Sequence, residues 1–141
     1  MQAVTSSSEE TIALGQSFAA RLRPGDLVAL TGPLGTGKTR FVQGVCEGLV
    51  VRVHVGSPTF TLINEYPAPF GTVVHVDLYR IRSAKEVAEL GLQEYFNEGC
   101  ICLIEWPETA AAFLPQDHYC IRLSHGKRPD ERIITIERNE G

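Results

Sequence analysis

Lys38 and Thr39 end the run G-P-L-G-T-G-K-T at residues 32–39, whose types and spacing suit capture of a polyphosphate. The run fits G-x-x-x-x-G-K-[ST], the phosphate-binding P-loop. Gly32, Gly35 and Gly37 permit backbone angles that let main-chain N–H groups close around phosphate oxygens. Pro33, Leu34 and Thr36 complete the loop. Lys38 supplies a charge that can reach the β- and γ-phosphates, and the Thr39 hydroxyl suits Mg²⁺. A helix starting here would aim its N-terminal N–H groups and positive dipole end at the same phosphates.

Hydrolysis needs more than a phosphate cradle. It needs Mg²⁺ held from the protein side and a group that orients the attacking water. Two carboxylates end apolar, strand-like runs: Asp77 after V-V-H-V and Glu105 after I-C-L-I. From pattern alone, one serves Mg²⁺ and the other the water. Arg80 could neutralise transferred phosphoryl charge, pair with Asp77, or be a surface arginine. Ser57, Thr59 and Thr61 bring three hydroxyls to a Gly- and Pro-marked segment. It reads equally as a γ-phosphate-sensing loop or an ordinary turn. Trp106, the only tryptophan, could stack on a partner or close the core.

These groups require a framework of alternating strands and helices. Residues 26–31 (D-L-V-A-L-T) form a short apolar strand opened by Pro24-Gly25. Phe41, Val42, Val45, Cys46 and Leu49 then recur at helical spacing. Ahead of them, the S-x-x-E of Ser7 to Glu10 opens a helix running to about Arg23. Val51, Val53 and Val55 alternate with Arg52 and His54, predicting a half-exposed strand or extended segment with His54 solvated. Residues 61–66 and 72–77 pair as a hairpin joined through 67–71. Ser83 caps another helix, interrupted at Gly91, and residues 92–97 form a further helical turn. Residues 100–105 read as a strand buried on both faces of a parallel sheet. Pro107 suits the first turn of a short helix through Ala112. Residues 118–124 and 132–137 form a terminal hairpin. The fold class expected is α/β: a P-loop NTPase-like mixed sheet flanked by helices, with a C-terminal β-hairpin, in one domain over 1–141.

Composition narrows the setting. The chain has 141 residues, 43% of them hydrophobic, and a formal net charge of −4. That charge argues against strong autonomous nucleic-acid binding, which needs a basic face to release counterions. No basic-then-apolar leader and no apolar run near 18 residues are present, so a cytoplasmic, non-membrane protein is expected. Cys46, Cys100, Cys102 and Cys120 form no C-x-x-C pair and read as small core residues.

Read in order, the P-loop, S-P-T-F-T-L, H-V-D-L-Y-R and L-I-E-W make the chain resemble the TsaE family, formerly called YjeE. These are small bacterial ATPases of tRNA threonylcarbamoyladenosine synthesis. The resemblance runs from about Ser8 to about Leu123 and covers Ser57, Pro58, Thr59, Thr61, Leu62, His75, Leu78, Tyr79, Leu103 and Ile104 alongside the residues above. One loop position departs: Pro33 stands where the family carries Asp. Pro33 lacks an N–H and fixes its own φ, so any contact of that Asp is absent, but phosphate binding is expected to survive. The resemblance implies Thr39 and Glu105 as Mg²⁺ ligands and Asp77 as the carboxylate needed for hydrolysis. It implies ATP contacts along the loop and at Thr61, with Ser8 on the first helix and the last hairpin near the adenine. It implies a slow ATPase acting with the TsaD–TsaB pair, which modifies the adenosine beside the anticodon of tRNAs reading A-starting codons, with tRNA met only through that complex.

Two other readings are compatible with the loop. A small-molecule P-loop kinase needs an arginine-bearing lid, and neither Arg80-Ile81-Arg82 nor Lys127-Arg128 has one evident. A nucleotide sensor without turnover would not need two strand-end acids. A GTPase is disfavoured because no N-K-x-D-like segment is present.

Overall fold

A computed structural model describes residues 1–57 and 61–139. Its centre is a seven-stranded sheet ordered β1-β7-β6-β2-β5-β4-β3. The strands are β1 (Gln2–Thr5), β2 (Leu27–Thr31), β3 (Ile63–Ala68), β4 (Gly71–Asp77), β5 (Cys100–Glu105), β6 (His118–His125) and β7 (Arg132–Asn139). The four central strands β4, β5, β2 and β6 are parallel, and the outer pairings are antiparallel. The helices are α1 (Ser8–Ala19), α2 (Lys38–Gly48) and α3 (Ala84–Leu90), with 3₁₀ turns at Leu92–Tyr95 and Pro107–Phe113.

Alternation along the central strands sends side chains to two cores. Val28, Leu30, Leu103, Ile121 and Val73 pack with Phe18, Phe41, Val42 and Val45 of α1 and α2. Ala29, Val74, Val76, Cys102 and Ile104 pack on the other face with Val87 of α3 and Leu92. The run 100–104 is therefore apolar because both faces of β5 are covered, as read from the sequence.

Helices α1 and α2 touch through glycines. A Cβ on Gly15 would lie 2.4 Å from Phe41 O, and one on Gly44 would lie 2.0 Å from Ile12 O. This contact sets how closely α1 packs on α2. Ser7 caps α1 by accepting from Glu10 N at 3.1 Å, and the Glu10 carboxylate returns to Ser6 N at 3.2 Å.

Several expectations shift. Residues 51–57 are not a strand: Val50 takes φ 64°, and Val51 N bonds Cys46 O at 2.9 Å, ending α2 in a tight turn. Val53 is exposed, and so is His54. The hairpin between β3 and β4 is tighter than 67–71. Pairing continues through Pro67 and Ala68 to Gly71, which leaves a two-residue connection. Pro67 is tolerated because β3 is an edge strand. Helix α1 stops at Ala19 rather than near Arg23. Strand β1, unforeseen, adds an edge beside β7. The S-P-T-F-T-L segment falls partly outside the described residues, at 58–60.

Among the described residues, no helix is long and apolar enough to cross a membrane. Cys46 and Cys102 are buried, and burial pushes both thiols up to about 12, so they act as inert core residues.

Candidate functional site

Strand β2 delivers the chain into loop 32–37, and α2 starts at Lys38. Gly37 caps that helix at φ 93°, a left-handed conformation that residues with a Cβ resist. Gly32 passes so close to β6 that a Cβ would sit 2.3 Å from Leu123 O. Pro33 contributes its carbonyl, which accepts from Thr36 Oγ1 at 2.8 Å and from Lys38 Nζ at 3.1 Å. The loop geometry therefore forms with Pro33 in place. Lys38 also donates to Gly32 O. Its ammonium lies 4.1 Å from the centre of the Trp106 ring, a cation–π contact.

Sheet register brings the two acids to the loop. β4 and β5 pair Asp77 with Glu105, and β2 and β5 pair Leu30 with Glu105. The two carboxylates thus project from one face at neighbouring strand ends. Glu105 is 3% exposed and Asp77 8%. Thr39 Oγ1, on the first turn of α2, lies 3.3 and 3.4 Å from the two Glu105 carboxylate oxygens. Glu105 Oε2 is also 2.6 Å from His75 Nε2. Asp77 Oδ1 accepts from Tyr79 N at 2.9 Å. After Glu105 the backbone turns sharply: Trp106 adopts φ 57°, ψ 58°, and its N–H reaches Leu30 O at 3.2 Å. That turn lays the indole over Lys38, with the Tyr79 ring 5.0 Å away.

Burial sets the electrostatics. Desolvation holds the Lys38 ammonium below the usual lysine value, partly offset by Glu105, Asp77 and Glu108. Desolvation raises the Asp77 carboxyl, and Glu105 adds to this. The Tyr79 N–H, His75 and Lys38 act in the other direction. Each group is thus biased toward its neutral form, as at sites whose charges await a charged ligand.

One cleft gathers most of the residues read from the sequence. Ser8, Leu34, Gly35, Thr36, Gly37, Lys38, Thr39, Ser57, Asp77, Glu105 and Trp106 line it. Gly32 and Pro33 support it from behind through the Lys38 bonds. Thr61 is not brought in: its hydroxyl donates to Asn64 Oδ1 at 2.7 Å. Arg80 is exposed and does not line the cleft. The cleft also contains residues that the sequence reading did not select, among them Thr11, Asp130 and Arg132. Arg132 opens β7 and donates to Gly35 O at 3.2 Å, tying the terminal hairpin to the loop. No local pattern marks Arg132, because strand pairing across the sheet places it. The V-H-V-D alternation does put His75 on the face of Asp77.

The donor set suits a hard cation. Thr39, Glu105 and Asp77 offer oxygens only, as Mg²⁺ prefers. Among the described residues no group of three or more His, Cys, Asp or Glu could hold a metal by itself.

The family model for "Threonylcarbamoyl adenosine biosynthesis protein TsaE" matches residues 5–134. The chain belongs to the TsaE family. The Bacillus subtilis tRNA threonylcarbamoyladenosine biosynthesis protein TsaE is 42% identical over 132 residues, covering 94% of this chain and 82% of that protein. The Treponema pallidum protein of the same name is 36% identical over 137 residues, 96% of this chain and 99% of that one. A crystal structure of Bacillus subtilis YdiB superposes with a TM-score of 0.84 at 36% identity, covering 99% of this chain and 86% of that one. The mixed sheet and terminal hairpin thus have a solved counterpart, and TsaE membership ties the chain to tRNA threonylcarbamoyladenosine biosynthesis.

Proposed function

We propose that this chain binds ATP with Mg²⁺ in the cleft and hydrolyses it slowly alone. That cycle would act with the TsaD–TsaB pair in forming threonylcarbamoyladenosine next to the anticodon of tRNAs reading A-starting codons. One observation carries the chemical part. Thr39, Glu105 and Asp77 meet at adjoining strand and helix ends beside Lys38, in a cleft entered by the glycine loop.

The roles follow from the chemistry of each group. Loop N–H groups and Lys38 hold the β- and γ-phosphates, and the start of α2 adds its dipole. Thr39 and Glu105 hold Mg²⁺, which when bound withdraws charge from the phosphate oxygens. Asp77 accepts a hydrogen bond from the attacking water and orients it for in-line attack. Burial raises its carboxyl above the ordinary value, which makes the carboxylate a stronger proton acceptor. Ser8 and the β6–β7 hairpin lie at the cleft edge that suits the adenine. The net charge of −4 fits a cytoplasmic component that meets tRNA only through its partners.

The test is made in cells. Depletion of this chain should lower threonylcarbamoyladenosine in tRNA, and the tagged chain should retain TsaD–TsaB in an ATP-dependent manner. Normal modification after depletion would refute the pathway role. Loss of partner capture both with and without ATP would refute the partnership.

A further inference from the structure

Of the four histidines, His75 alone is fully buried. It lies mid-strand in β4. Its neighbours Val74 and Val76 face the α3 core, and His75 shares the opposite face with Val73 and Asp77. The adjoining positions on that face of β5 are Ile101 and Leu103. A purely structural side chain here would be apolar. His75 instead leaves Nδ1 buried without a hydrogen-bond partner, a penalty that an aliphatic residue avoids. Something must compensate for it.

The one contact that can do so is Nε2 to Glu105 Oε2 at 2.6 Å. A carboxylate that is to hold a cation must be ionised, and it then only accepts hydrogen bonds. Nε2 therefore donates its proton to Glu105 Oε2. Two other roles are closed. His75 cannot ligate a cation, because Nε2 is engaged by Glu105 and Nδ1 is sealed in the strand interior. It cannot exchange protons with solvent, because it is 0% exposed. What remains is control of Glu105. Oε2 is fixed by the imidazole, and Thr39 Oγ1 lies 3.3 Å from Oε2 and 3.4 Å from Oε1.

We propose that His75 is a positioning residue for cation binding, its Nε2–H pinning Glu105 Oε2 so that the carboxylate is held beside Thr39. The inference rests on reading Glu105 as a Mg²⁺-holding group. Partners that orient a metal-holding side chain typically change metal affinity by about 10- to 100-fold when removed.

The test compares ATP affinity in Mg²⁺ and in EDTA by calorimetry for the full chain, and takes the ratio of the two. His75→Leu should cut that ratio by about 10-fold or more while leaving the EDTA affinity unchanged. His75→Gln, whose amide N–H reaches the position of Nε2, should restore most of it. His75→Asn, whose amide stops short of Glu105, should not. A wild-type ratio in His75→Leu would overturn the proposal, as would a His75→Gln ratio as low as that of His75→Asn. If His75→Leu fails to fold, the Gln and Asn pair decides. Glu105→Gln separates the two levels of inference. If it keeps the wild-type ratio, the cation reading of Glu105 fails and the positioning role falls with it. If it loses the ratio while His75→Leu keeps it, only the positioning role fails.

Discussion

At the C-terminal ends of β2, β4 and β5, Lys38, Asp77 and Glu105 are buried together beside the glycine loop. At the N-terminal ends of β2 and β6, Arg138 meets Asp117 at 2.7 Å and Asp26 at 3.7 Å, and covers the Tyr119 ring at 4.4 Å. Both clusters mix cations and carboxylates, yet the protein treats them in opposite ways. Hydrogen bonding to Arg138 lowers the Asp117 carboxyl, and the same contact raises the guanidinium, so pairing favours both charged forms. At the other end desolvation dominates, lowering Lys38 and raising Asp77. The open cluster matches its charges to each other. In the buried cluster desolvation outweighs the contacts that the fold supplies to Lys38 and Asp77, and a polyphosphate with its cation would add to those contacts.

That contrast can be broken most sharply at Lys38. Lys38→Ala should weaken nucleotide binding by roughly 100-fold or more, the scale of a lost charge-assisted hydrogen bond, read by calorimetry. Binding within a few-fold of wild type, on the same scale, would remove Lys38 from the site. Gly44→Ala tests the seam that fixes α1 at the cleft edge. Its new Cβ meets backbone at 2.0 Å, so denaturant unfolding should show a loss of about 2 kcal/mol. Unchanged stability would show that α1 is free to shift.

Asp77→Asn sharpens the electrostatic half. Burial raises the folded carboxyl above its ordinary 3.8. Asp77 therefore contributes stability that is present below that ordinary value and is lost as pH rises through the folded one. The asparagine carbonyl can still accept from Tyr79 N. The variant should melt above wild type at neutral pH, and the gap should close below the ordinary value. A variant that melts lower at neutral pH would mean that ionised Asp77 is stabilising, as Asp117 is. The smallest effect is expected at the open end. Arg138→Ala should lower the melting temperature slightly and in a salt-dependent way, with nucleotide affinity unchanged. A loss of affinity there would erase the distinction between the two ends.

The parts of the site legible in the sequence were those that local spacing determines. Loop 32–39 declares its glycines, lysine and threonine within one turn of chain. Asp77 and Glu105 announce themselves because an apolar run that stops at a carboxylate marks a buried strand reaching its end. Whatever depended on distant pairing was not legible. Strand β1 is four residues long and exists because β7 offers it an edge. Arg132 reaches Gly35 across 97 positions of sequence. The alternation at Val51–Val53–Val55 pointed to a half-exposed strand or an extended segment; among the described residues no strand pairs with it, and the turn at Val50 precedes it. Pro67 suggested a loop where an edge strand simply tolerates it. The His75–Glu105 contact lies between: alternation gives the face, and only the β4–β5 register gives the partner.

If the buried cluster performs phosphate chemistry as well as phosphate capture, turnover and binding must separate at Asp77. The most direct measurement is single-turnover phosphate release from Mg-ATP by Asp77→Ala, with nucleotide affinity recorded on the same protein. Binding should be retained and release slowed by about 100-fold or more, the contribution of a lost general base. Release at the wild-type rate by a variant that still binds ATP would contradict that separation.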